Sequence, residues 1–216
     1  MIEISALHVI FNPATPLENR ALRGVDLSIP EGQFVTVIGS NGAGKSTLLN
    51  ALAGEVSASS GRILLANKEI GLWPVNRRAP HIARVFQDPL MGTCEDLTIE
   101  ENLALAQART KTRGLGIAAK RQYRKHFMRK LKGLHLGLEN RLSDKIGLLS
   151  GGQRQAVSLL MASLKPMKLL LLDEHTAALD PKTAAFILAL TQEIIKENNL
   201  TALMVTHSMA QALAAG

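Results

Sequence analysis

Short apolar runs, each handing over to a polar residue or a glycine-rich turn, set the rhythm of this chain. Four of them read as buried strands: Phe34–Ile38, Arg84–Phe86, Leu169–Leu172 and Ala202–Thr206. Each is a β-branched or apolar run closed by a loop signal. They deliver, in turn, Gly39 with its loop, Gln87, Asp173-Glu174 and His207. In an open parallel α/β sheet, ligands sit beyond the carboxyl ends of the strands, so these groups describe a single site. Upstream, Ile2–Ile4, Leu7–Ile10, Val25–Ile29 and Arg62–Leu65 predict further antiparallel strands flanking that core. Between Gln87 and Ser150 the pattern turns helical. Thr98-Ile99-Glu100-Glu101 fits a capping box, in which hydroxyl and carboxylate each satisfy a free backbone N–H. The expected organisation is a single α/β domain over 1–216, with its core at about 1–87 and 150–216 and a helical insertion at about 88–149.

Composition is that of an ordinary globular protein, 46% hydrophobic and 20% charged over 216 residues, enough for a proper apolar core. No apolar run approaches the roughly 20 residues that span a bilayer. Met1-Ile2-Glu3-Ile4 lacks the basic start and long apolar stretch of a signal peptide. The single cysteine, Cys94, excludes an internal disulfide and fits a reducing cytoplasm. Aromatics at 3% disfavour base-stacking on single-stranded nucleic acid.

The formal charge of +7 is unevenly placed. Arg109, Lys111, Arg113, Lys120, Arg121, Arg124, Lys125, Arg129, Lys130 and Lys132 crowd one stretch that holds no Asp or Glu. Tyr123, Phe127 and Leu131 recur there every four residues, an apolar helix face with a basic remainder. That remainder is a solvated face, a surface for anionic lipid head groups or, third, a contact for nucleic acid.

The chemistry begins at Gly39-Ser40-Asn41-Gly42-Ala43-Gly44-Lys45-Ser46-Thr47, a G-x-x-x-x-G-K-[ST] loop between a strand and an apolar helix starting near Ser46. Glycines let the backbone N–H groups turn around phosphates, and the helix N-terminus adds favourable partial charge. Lys45 is placed to reach the β- and γ-phosphates and Ser46 to ligate Mg²⁺. Asp173-Glu174 closes a buried strand. Beside a phosphate loop, adjacent acids suit metal and water: Asp173 for Mg²⁺, Glu174 for orienting and deprotonating the attacking water. Ser150-Gly151-Gly152-Gln153 reads in part as a capping box opening a helix over Gln153–Leu164. That leaves the two glycines, each unfavourable in a helix by about 1 kcal/mol relative to alanine. Bare backbone there fits close approach of an anion.

With these motifs in order, the chain resembles the ATP-binding cassette ATPases, the nucleotide-binding subunit type of transporters. The resemblance runs from about Leu7 to His207 and rests on the phosphate loop, Gln87, Leu149–Gln153, Leu169–Glu174, Ala178-Leu179-Asp180 and His207. It implies a phosphate-loop core with a mostly parallel sheet, an antiparallel β flank and a helical subdomain. It implies that Gln87 contacts Mg²⁺ and the attacking water, and that Ser150, Gly151, Gly152 and Gln153 meet the ATP of the opposite subunit. The same resemblance implies that Asp180 crosses the dimer interface and that His207 contacts the γ-phosphate and supports Glu174. Asp180 also reads as an N-cap with Pro181 at the first helical position. Phe11 is the candidate for stacking adenine, with a core phenylalanine as the competing reading.

Departures are His175, where proline is commoner, and Ala177, where serine often stands. The chain also ends nine residues after His207, where such domains usually continue, so a truncated C-terminus is expected. The function implied is a cytoplasmic ATPase, peripheral on the inner face of the membrane. It closes as a head-to-tail homodimer, or with a paralogous cassette, around two ATP with Mg²⁺. Separate permease subunits and an extracytoplasmic solute-binding protein complete an importer of amino acids or related small solutes. Rivals are a soluble cassette ATPase of iron–sulfur assembly or nucleic-acid work, and a phosphate-loop kinase, which has no use for Leu149–Gln153.

Overall fold

The computed structural model describes residues 1–109 and 121–215. Along the chain run β1 (Ile2–Phe11), β2 (Asn19–Ile29), β3 (Phe34–Ile38), α1 (Lys45–Ala53), β4 (Ser60–Leu65), β5 (Lys68–Glu69), α2 (Val75–Arg78) and β6 (Ile82–Val85). Then come α3 (Ile99–Gln107), α4 (Arg121–Lys132), α5 (Gly151–Ser163), β7 (Leu169–Asp173), α6 (Pro181–Glu197), β8 (Ala202–Thr206) and α7 (Met209–Ala215). They pack as two compact units: Met1–Ala83 with Met167–Glu174 and Ile195–Gly216, and Arg84–Pro166 with His175–Ile194. The helical insertion expected over 88–149 lies inside the second.

The first unit holds an antiparallel sheet in the order β2-β1-β4-β5. Its central strand explains a break in the sequence pattern. Ile2 and Ile4 are buried, and then Leu7 and Val9, so the inward-facing positions switch from even to odd. The switch falls at Ala6, which takes a left-handed φ of 45° where the register with β2 slips. An extra residue at such a bulge restores the inward face beyond it. Two predicted strands are therefore one. Gly61 faces the bulge, and a Cβ there would lie 2.3 Å from the Ala6 carbonyl oxygen. β5 has only two residues and no apolar pattern to betray it.

The other sheet has the order β3-β8-β7-β6. β3 pairs with β8 and β7 with β8 in parallel, with Ile38 level with Thr206 and Asp173 level with Val205. Three strands therefore end together. β7 and β8 are central and nearly continuous in apolar residues, with Leu169–Leu172 and Ala202–Val205 buried. β6 begins and ends earlier than the expected Arg84–Phe86. α1 is held at its far end by Arg78, which is 2% exposed. Its guanidinium donates to the carbonyls of Ala51 (2.6 Å), Leu52 (2.9 Å), Gly71 (2.9 Å) and Trp73 (2.8 Å). A cation on the last carbonyls of a helix satisfies acceptors that have no partner within it.

In the second unit α3, α4 and α5 bury Ile99, Leu103, Phe127, Leu131 and Leu159. Tyr123 stacks on Phe127, so the four-residue spacing marks an inward face as expected. Both capping boxes form: Thr98 with Glu101 at α3, and Ser150 with Gln153 at α5. Asn102, fully buried, accepts from Cys94 N–H and donates to the carbonyls of Cys94, Leu97 and Thr98. It fixes the turn ahead of α3.

Candidate functional site

The phosphate loop spans the end of β3 and the start of α1. Gly44 has φ 86°, and a Cβ there would sit 2.6 Å from the Ala21 carbonyl oxygen, so only glycine fits. Gly42, with φ 81°, has nothing within 4 Å of where a Cβ would be, which leaves its backbone facing open space. Lys45 is 8% exposed, and its ammonium donates to the carbonyls of Gly39 (2.8 Å) and Ser40 (2.9 Å). The cation is thus curled over the loop.

Aligned strand ends bring the other groups of this unit to the same place. Lys45 Nζ lies 3.9 Å from Glu174 Oε1, and His207 Nδ1 donates to Glu174 Oε2 at 3.1 Å. Glu174 is mostly buried and His207 half-exposed. The Glu174 backbone is left-handed, φ 43°, while its N–H donates to the Val205 carbonyl at 3.0 Å. Left-handed backbone is uncommon outside glycine and costs about 1 kcal/mol or more. Here it falls on the residue directly after β7, where the chain leaves the strand. Asp173 ends β7, and Ser46, exposed, lies in the first turn of α1. Phe11 ends β1 and is 37% exposed, which removes the core-phenylalanine reading.

Gln87, Ser150–Gln153 and Asp180 belong to the second unit. Gln87 is exposed just after β6. At α5, Ser150 Oγ accepts from the Gln153 N–H (3.3 Å) and Gln153 Oε1 accepts from the Ser150 N–H (3.2 Å). The two glycines differ. A Cβ on Gly152 would fall 2.2 Å from Thr183 Cγ2, so close packing against α6 already requires glycine. A Cβ on Gly151 would make an ordinary 3.5 Å contact with Leu179, and Gly151 is exposed. Helix packing therefore accounts for one of the glycines attributed to anion approach. Asp180 caps α6, accepting from the Thr183 N–H at 3.1 Å, and the Thr183 hydroxyl and N–H hold its carboxyl below the usual range. α5 and α6 thus start side by side.

Two supporting residues, Arg154 and Gln155, escaped the sequence reading, which named a third, His175, without a role for it. Arg154 donates to the carbonyls of Gly147 (2.9 Å) and Leu149 (3.3 Å), bracing the turn before Ser150. Gln155, 1% exposed, donates to the Phe86 carbonyl (3.1 Å), immediately before Gln87. Its signal is a polar residue at the head of the run Ala156–Leu160, apolar but for Ser158. His175 is 1% exposed, and burial pushes it down to about 4. Thr191 Oγ1 donates to the Ile187 carbonyl (2.7 Å), so it accepts from His175 Nε2–H (3.0 Å), which makes the ring a neutral core histidine. In the basic stretch, Arg109 is half-buried and Arg124 is paired with Glu100. Lys111, Arg113 and Lys120 lie outside the described residues.

A glycine-lined loop at a helix N-terminus, with a lysine and a carboxylate–histidine pair at aligned strand ends, defines a phosphate-loop nucleoside triphosphatase. The profile of the ABC transporter family matches residues 22–177. The chain is 44% identical, over all of its length and 86% of the relative's, to a tyrosine transport ATP-binding protein of Clostridioides difficile. It is 36% identical, over 89% of its length and 71% of the relative's, to a phosphonates import ATP-binding protein of Chromohalobacter salexigens. Among solved structures it resembles a dimeric post-hydrolysis state of the ATP-binding cassette MJ0796 bound to ADP and phosphate. That match has a TM-score of 0.82 and 30% identity, covering 98% of this chain and 90% of that one. The chain belongs to the ABC transporter family and is an ATPase. Among the described residues no helix is long and apolar enough to cross a membrane.

Proposed function

We propose that this ATPase powers an importer, closing as a head-to-tail dimer around two ATP and driving separate membrane permease subunits. The observation that carries the reading is the linked set Lys45, Glu174 and His207 at the ends of β3, β7 and β8. Lys45 exchanges its loop carbonyls for β- and γ-phosphate oxygens and offsets their charge. Glu174 orients the attacking water and takes its proton, and His207 fixes the carboxylate in the rotamer that does so. Phe11 stacks the adenine. Ser150, Gly151, Gly152 and Gln153 present the α5 N-terminus to the γ-phosphate held by the other subunit, and Asp180 lies along the same interface. ATP then bridges two chains, and hydrolysis releases them.

Magnesium fits the residues of the first unit: Ser46 and Asp173 are hard oxygen donors at the start of α1 and the end of β7. When bound, the ion neutralises phosphate charge. The solute is an amino acid or a related small molecule. That choice draws support from the 44% identity to a tyrosine transport subunit and 38% identity to a methionine import subunit of Rhizobium johnstonii. A solute-binding protein outside the membrane delivers it.

Glu174→Gln tests the mechanism. The variant is expected to bind ATP, hydrolyse almost none and accumulate as an ATP-bound dimer by light scattering. A chain that stays monomeric at saturating ATP and Mg²⁺ overturns the dimer reading. Co-purification with a membrane permease tests the transport reading, and soluble partners alone would refute it.

A further inference from the structure

α4 presents a face that neither the nucleotide chemistry nor the core explains. Phe127 and Leu131 bury its inward side, so the helix is rigidly mounted on its unit. Lys125, Met128, Arg129 and Lys132, at helical spacing, line an open cleft of about 510 Å³ together with Glu139 and Asn140. Lys125, Arg129, Lys130 and Lys132 are all exposed, and among the described residues none has a carboxylate partner. Neighbouring cations of the same unit are paired: Arg124 with Glu100, Arg141 with Asp144 and Lys145 with Asp96. Among the described residues Glu139 is the one carboxylate lining the cleft; it makes no ion pair there, and its Oε2 is buried. His126 registers the local field. Burial lowers its pKa first, and the charges of Lys130 and Arg129 lower it further.

We propose that this face of α4 docks on an anionic phospholipid surface. Charge complementarity carries the choice: a rigid strip of unpaired cations matches a plane of head-group phosphates. Met128, 38% exposed between Lys125 and Arg129, provides an apolar contact at head-group depth. Tyr123 is stacked on Phe127 and is not free to stack on a base, which disfavours single-stranded nucleic acid. Preferring a membrane to other polyanions rests on the importer reading, in which the chain works beside a bilayer. The contact is weak by itself and acts as an orienting aid once a permease holds the subunit.

The test is sedimentation of the full chain with vesicles of phosphatidylcholine containing 30% phosphatidylglycerol, against pure phosphatidylcholine, at low and high salt. Binding is expected only to the anionic vesicles and should fade as salt screens it. Each neutralised cation weakens binding about fivefold, so K125Q/R129Q/K132Q should lose about hundredfold. Its ATP turnover should be unchanged. A control, R62Q/K68Q/K168Q, removes the same charge from exposed sites elsewhere and should bind normally. Equal loss in the control would reduce the effect to net charge and overturn the proposal. So would equal binding to both vesicles, or an α4-dependent preference for duplex DNA over vesicles at matched salt. None of these measurements needs a permease or a dimer, so their failure and that of the importer reading are separable.

Discussion

The two units carry phosphate chemistry in opposite ways. In the first, the reactive groups are linked to one another: Lys45 to Glu174, Glu174 to His207, and Lys45 to the loop carbonyls. In the second, the side chains of Ser150 and Gln153 bond each other's backbone, and the Asp180 carboxylate bonds Thr183 of the helix it caps. One arrangement sets up reactive atoms within a chain; the other offers helix ends outward. The difference suggests that the first unit's residues act on bond-breaking and the second's on assembly. Substitutions in the two should therefore fail in different assays.

The largest effect is expected from Glu174→Gln: single-turnover hydrolysis should slow by about a thousandfold with the melting temperature preserved. If instead melting collapsed and turnover survived, the contrast would be broken. His175 comes next. The unfolded chain takes up a proton near pH 6.5, whereas the folded ring resists until about 4. Between these values the unfolded state binds more protons, so stability falls as pH drops through that window, by up to roughly 3 kcal/mol. Denaturant titrations from pH 7 to 4 should show this loss, and His175→Gln should flatten it.

Gly152→Ala should cost about 2 kcal/mol through overpacking against Thr183. Thr183→Ser deletes the offending methyl and should restore the melt. If the double variant also regains ATP-driven dimerisation, the glycine serves packing alone; if it folds but stays monomeric, the bare backbone serves the nucleotide. The smallest effect compares the two capping boxes. Thr98→Ala and Ser150→Ala should each cost about 1 kcal/mol. Only Ser150→Ala should also impair turnover. Equal turnover in both would remove Ser150 from the site.

Much of this was legible in sequence because it is local. β3 and β8 fall where their apolar runs do, and both capping boxes announce themselves in four residues. Strand alignment made the gathering of Lys45, Glu174 and His207 predictable, since parallel neighbours deliver their ends together. The features that escaped depend on distant partners. Nothing near Gly152 names Thr183, and Arg78 reads as a surface cation until α1 is folded over it. Ile2–Phe11 looked like two strands because a bulge and a break flip the inward face identically. β6 ends at Val85, and the carbonyl of Phe86 is taken by Gln155, a pairing no spacing rule anticipates.

The left-handed backbone at Glu174 has an evolutionary consequence. Glycine would occupy that turn without steric cost, for a net gain of up to about 1 kcal/mol after its greater unfolded-state freedom. It would also delete the carboxylate. A laboratory selection that rewarded thermal survival alone should therefore drift toward glycine at 174 and enrich sturdy, inert chains. Screens for robust variants need turnover in the selection, because at this position the two goals pull the sequence apart.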